Sequence, residues 1–251
     1  MTTQPAGDGI VEYTLPGEKS LHILGRASID RGIAELAALA PAAQRGELRV
    51  LVLRGPGETF IGGADIREMA QLTPATAPSF IQALRGLCEA VRVFPCPVVA
   101  RLAGWCLGGG LEVAAACDIR IAGRGARFGM PETKVGIPSV IHAALLPRLI
   151  GRSRAAWLLL SGETIDAATA QQWSFVHELA DDTALDDAVH QRATALAAMG
   201  AAVLRQQKRM LRQWESQSAD AAIEASVAEF AAAFATGEPQ RHMGAFLARK
   251  R

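Results

Sequence analysis

The stretch "GWCLGGGLEVAAACDIRIAG", Gly104 to Gly123, decides how this chain is read. It is mostly apolar, yet it sets a carboxylate, Glu112, directly after three consecutive glycines and a leucine. Glycines weaken the interior of any regular element, so the run is read as a junction between a strand at 97–104 and a helix that follows. Glu112 then falls in the first turn of a helix whose other residues are Leu, Val, Ala and Cys. An acid at a helix N-terminus is favourable, but it ordinarily sits on a wet face. A carboxylate among apolar groups is rare and asks for a purpose.

A second loop of the same kind lies upstream. "FIGGADIREM", 60–69, follows a strand at 48–55 and again places glycines between a strand and a helix. Backbone N–H groups in the first turn of a helix have no internal acceptor, and glycine lets a ligand come close to them. Two such loops can aim two donors at one oxygen, an oxyanion hole that stabilises charge developing on a carbonyl. A second acid, Glu132, follows a proline in "FGMPETKVG". The plain alternatives are tight turns for the glycines and a surface pair with Lys134 for Glu132.

The surrounding chain alternates strands and helices. "IVEYTL" (10–15) and "LRVLVLRG" (48–55) read as strands, 29–44 as a helix, and 78–93 as a helix with apolar residues at Phe80, Ile81, Leu84, Leu87, Cys88 and Val91. "CDIRIAG" and "RFGMPE" read as short strands, and "SRAAWLLLSG" (153–162) as a helix opened by Ser153 and stopped by glycine. From about 183 the chain is nearly all helix. The fold class expected is layered α/β.

Of 251 residues half are hydrophobic, enough for a large core. A net charge of +1 from 26 basic and 25 acidic residues argues against a nucleic-acid surface, leaving small molecules as the expected partners. Cys88, Cys96, Cys106 and Cys117 lack zinc-site spacing and are read as reduced, which with no secretory signal in view gives a cytoplasmic expectation. The apolar region 91–117 is interrupted by charges, prolines and glycines, so no membrane role is expected.

Other motifs fall away. There is no G-x-x-x-x-G-K-[ST], and "GWCLGGG" does not fit G-x-G-x-x-G. "GRSRA" resembles a nucleophile elbow, but its fifth position is Ala155. The five histidines show no metal-binding spacing, so no metal is expected.

Taken together, "FIGGADIREM", "AGWCLGGGLEVAAACDIRIAG", "ARFGMPETKVGIP", "PRLIGRSRAAWLLLSGETIDAATA" and "GAFLARKR" closely resemble the crotonase, or enoyl-CoA hydratase/isomerase, superfamily. The resemblance implies a spiral of repeated ββα units (1–195) followed by a C-terminal helical region (196–251) that assembles trimers or dimers of trimers. It implies an acyl-CoA thioester as substrate with no cofactor. The N–H groups of Ala64 and Gly109 become the oxyanion donors, and Glu112 and Glu132 the carboxyls that add water across an enoyl double bond. Coenzyme A would lie along Gly62, Gly63, Asp65, Ile66 and Arg67, with Phe230, Phe246 and Arg249 of a neighbouring subunit completing its site. Met69, Pro131, Ile137 and Ser139 are expected around the acyl group.

Two departures stand out. After Glu132 the family loop is usually glycine-rich, whereas here Ser139, Val140, Ile141 and His142 follow, so the acyl pocket should differ in shape. His22 stands where asparagine is common, read as a structural variation. The same oxyanion hole serves isomerases, dehydratases and thioester hydrolases, and an inactive CoA-binding subunit is the non-enzymatic alternative.

Overall fold

The computed structural model describes residues 8–18 and 21–248. The chain winds in successive turns of two strands and a helix. The first is β1 (Ile10–Thr14), β2 (Ile23–Leu24) and α1 (Arg26–Arg45); the second is β3 (Val50–Arg54), β4 (Gly63–Ala64), the single turn α2 (Ile66–Met69) and α3 (Ala77–Arg92). The third is β5 (Val98–Leu102), β6 (Trp105–Leu107) and α4 (Gly109–Ala116). β7 (Ile119–Gly123) and β8 (Arg127–Gly129) open a fourth, in which 3-10 segments at Pro131–Val135 and Ile141–Leu145 precede α5 (Leu146–Ile150) and α6 (Arg152–Ser161). β9 (Thr164–Asp166), α7 (Ala167–Gln172) and β10 (Glu178–Ala180) close the core, and α8 (Leu185–Ala197), α9 (Ala201–Trp214), α10 (Ala219–Phe234) and α11 (Glu238–Ala248) follow.

The first strand of each turn enters one parallel sheet, ordered β1-β3-β5-β7-β10. Its central strands are mainly apolar on both faces, with Arg101 and Arg120 the buried exceptions, because both faces are covered. Val50 and Val52 of β3 pack with Leu185, Val189 and Ala193 of α8. The alternate residues Leu51 and Leu53 join Leu84 and Leu87 of α3 in the main core. The second strands form another layer: β2 pairs with β4, β6 with β8, and an Ile61–Cys106 bridge joins the two pairs. That bridge brings the two glycine loops side by side.

The expected strands and helices are present, with ends moved by a few residues. Two details differ. Ser153 makes no capping bond; α6 starts one residue earlier, behind Gly151, whose φ of 82° and ψ of 152° turn the chain directly out of α5. "RFGMPE" is a strand only through Gly129, because Pro131 opens a 3-10 turn that lifts Glu132 off the sheet.

Candidate active site

The loop ahead of α2 is set by its backbone. Gly62 N–H donates to the Leu21 carbonyl at 2.8 Å and Asp65 N–H to that of Leu24 at 3.0 Å. Between them Gly63 has φ 121°, a conformation that glycine readily adopts, and Ala64 follows it at the end of β4. The Asp65 carboxylate accepts from Arg67 N–H at 2.8 Å and caps α2.

In the second loop the glycines answer to close approaches. A Cβ on Gly110 would lie 2.4 Å from the Ile61 carbonyl oxygen, and one on Gly108 would lie 2.6 Å from Glu132 Oε1. Gly108 also has φ 52°, where L side chains are strained. The first α-helical bond of α4 is Glu112 N–H to the Gly108 carbonyl, so the N–H groups of Gly109 and Gly110 have no acceptor within the helix.

Every residue of α4 is buried, and Glu112 is only 3% exposed. Its Oε1 accepts the Ala143 N–H at 2.9 Å. Burial pushes its carboxyl up to about 8, and the charge of Glu132 adds to the rise while the Ala143 N–H opposes it. Burial also raises Glu132, against its own backbone N–H and the Ser139 hydroxyl, which donates to Oε2 at 3.0 Å. Lys134 turns away to Glu163, 2.7 Å distant, so the surface pair with Glu132 does not form.

Both carboxyls line one largely apolar cavity of about 200 Å³. Gly62, Gly63, Ala64, Ile66 and Met69 line it from one loop, Gly109 from the other, and Pro131, Ile137 and Ser139 from the segment beyond β8. Asp65 and Arg67 do not line it. Phe230 on α10 and Phe246 on α11 are exposed and lie outside the cavity wall, and Arg249 is outside the described residues. Sequence reasoning missed one wall: Phe80, Ile81 and Leu84 of α3. Their three-and-four spacing marks a buried face without telling core from cavity. It also missed the Ala143 N–H, a backbone donor that no side chain announces.

The Enoyl-CoA hydratase/isomerase family profile matches residues 30–251. The chain belongs to this family. It is 35% identical over 191 residues to bovine mitochondrial Enoyl-CoA hydratase domain-containing protein 2, a match covering 75% of this chain and 64% of that protein. The chain thus spans slightly less than two thirds of that relative's length. Against the Mycobacterium tuberculosis protein named "Probable enoyl-CoA hydratase echA8" the identity is 35% over 216 residues, 81% of this chain and 79% of the other. A crystal structure of enoyl-CoA hydratase from Bacillus anthracis superposes with a TM-score of 0.92 at 26% identity, covering 99% of this chain and 96% of that one. The fold is that of the crotonase superfamily. Among the described residues no helix is long and apolar enough to cross a membrane, and no three His, Cys, Asp or Glu side chains are grouped to hold a metal ion.

Proposed function

We propose that this protein is an enoyl-CoA hydratase, adding water across the α,β double bond of 2-enoyl-CoA thioesters. One observation carries the reading: two buried glutamates share a small apolar cavity with the glycine loops that present the Ala64 and Gly109 backbone. In this reading the thioester oxygen accepts from the N–H groups of Ala64 and Gly109. Those donors oppose the negative charge that conjugate addition moves onto that oxygen, without needing to reorganise. Water sits between the carboxyls. One carboxylate takes its proton as the oxygen bonds to Cβ, and the other carboxyl delivers a proton to Cα. Because burial pushes the Glu112 carboxyl up to about 8, that carboxyl can hold a proton near neutral pH. The addition needs neither a metal nor a redox cofactor.

Coenzyme A is assigned to the loop 62–67, its nucleotide end completed by Phe230, Phe246 and Arg249 of a neighbour in a trimer or dimer of trimers. The exposure of both aromatic rings supports that assignment. The four cysteines are free and buried, consistent with a reducing compartment such as the cytoplasm. The test is a panel of enoyl-CoA thioesters followed by loss of the conjugated absorbance. Glu112→Gln and Glu132→Gln should each slow the reaction by roughly 10²- to 10⁴-fold. Wild type that shifts the double bond without taking up water, or variants at wild-type rates, would remove the hydratase reading.

A further inference from the structure

Glu112 is held by a backbone group, so whatever places that group places the acid. The Ala143 N–H belongs to the 3-10 segment Ile141–Leu145, which has no sheet partner and opens on a β-branched residue at φ 40°, a conformation kept only where the surroundings enforce it. The enforcing contact is next along the chain. His142 is buried, and its Nε2 lies 3.4 Å from Glu89 Oε2 on α3. Glu89 is itself held by Arg92 of α3 at 3.2 Å and by Arg212 of α9, and Arg92 reaches on to Glu215 just past the end of α9. A carboxylate at Nε2 fixes the proton there, and Nδ1 has no partner. The charged groups acting on the ring are Arg85, Glu89 and Arg92 from α3, with Arg212 of α9 behind Glu89.

We propose that His142 is a positioning residue: anchored through Glu89 to Arg212, it holds the Ala143 N–H against Glu112 and so ties the seating of α9 to the geometry of the active carboxyl. The catalytic part rests on the hydratase reading; the linkage itself does not.

A backbone N–H bonded to a carboxylate favours its ionised form, so losing that bond raises the protonation midpoint of Glu112. The midpoint is read on the full chain by infrared titration of the carboxyl C=O band that Glu112→Gln abolishes. His142→Leu should move the midpoint upward and lower kcat by about 10- to 100-fold with KM within about twofold, as displacement of a reacting group does. His142→Gln, whose amide can donate to Glu89, should recover both, and Arg212→Met should shift both in the direction of His142→Leu. If His142→Leu fails to fold, Arg212→Met carries the test by the same two readouts. A folded variant with wild-type midpoint and wild-type kcat overturns the proposal. A shifted midpoint in a protein whose wild type hydrates no enoyl thioester sustains the linkage and overturns the hydratase reading instead.

Discussion

Glu112 is where function costs stability. Its carboxyl titrates near 4.5 in the unfolded chain and near 8 when folded, so the folded state binds the proton more tightly. That contribution is whole below pH about 4.5 and is lost as pH rises to about 8, because the unfolded chain releases its proton first. Glu112→Gln keeps an oxygen for the Ala143 N–H and cannot ionise. It is expected to match wild type in Tm at acid pH and to exceed it by on the order of 5–10 °C above pH 8. Calorimetry across that range decides it, and a pH-independent difference would contradict the burial argument. Gly108 makes the complementary case. A methyl group there meets Glu132 Oε1 at 2.6 Å in a backbone conformation already strained for alanine. Gly108→Ala should therefore displace the carboxylate and cost about 10²-fold in kcat, read by steady-state kinetics.

At the scale of the element, α4 is short, wholly buried and carries both Gly109 and Glu112, so its C-terminus needs an internal cap. Arg120 supplies it. The buried guanidinium donates to the carbonyls of Phe175 at 2.6 Å, Cys117 at 2.7 Å and Ala114 at 3.3 Å, and lies 5.1 Å from the centre of the Phe175 ring. A cation at this end also complements the helix dipole. Arg120→Met leaves three buried carbonyls without that donor and should cost about 3–4 kcal/mol, lowering Tm by roughly 10 °C. Lysine should not rescue it, since a single ammonium lacks the planar fork that serves several carbonyls. The contrast between α4 and its neighbours also shows what a sequence reveals. The glycine run, the apolar helix and the misplaced acid were legible because each departs from what its local structure alone would choose. The Ile141–Leu145 segment was not, since it has no periodicity and its key donor is a peptide N–H. Arg120 sits among alternating apolar residues, where a charge facing water and a charge buried against carbonyls look alike. The cavity wall formed by α3 merged with the core for the same reason.

Over the whole molecule, the C-terminal helices are seated on the core through α9, whose Lys208 and Arg212 reach Asp118 and Glu89, while α10 presents a bare face. Glu238, in the first turn of α11, accepts from Ala202 and Val203 N–H at 3.0 and 2.9 Å, capping α9 and fixing the return of the chain. Beyond that anchor, Ile223, Val227 and Phe230 stand 67%, 68% and 72% exposed on α10 at spacings of four and three, one face of the helix. An exposed apolar stripe of this kind is the usual signature of an interaction surface. If, as proposed above, a second copy covers it and the aromatic rings complete a neighbour's coenzyme A site, assembly and nucleotide recognition become one property. The double variant Val227→Asp, Phe230→Glu, with two charges placed in that stripe, should sediment as a monomer where wild type sediments at three or six times the chain mass. The same variant should show a raised KM for the full CoA thioester but unchanged kinetics with a thioester of pantetheine, which lacks the nucleotide. A monomeric wild type, or a variant that stays assembled, would sink the interface. An equal loss on both substrates would keep the interface while denying that the neighbour's aromatic residues hold the nucleotide.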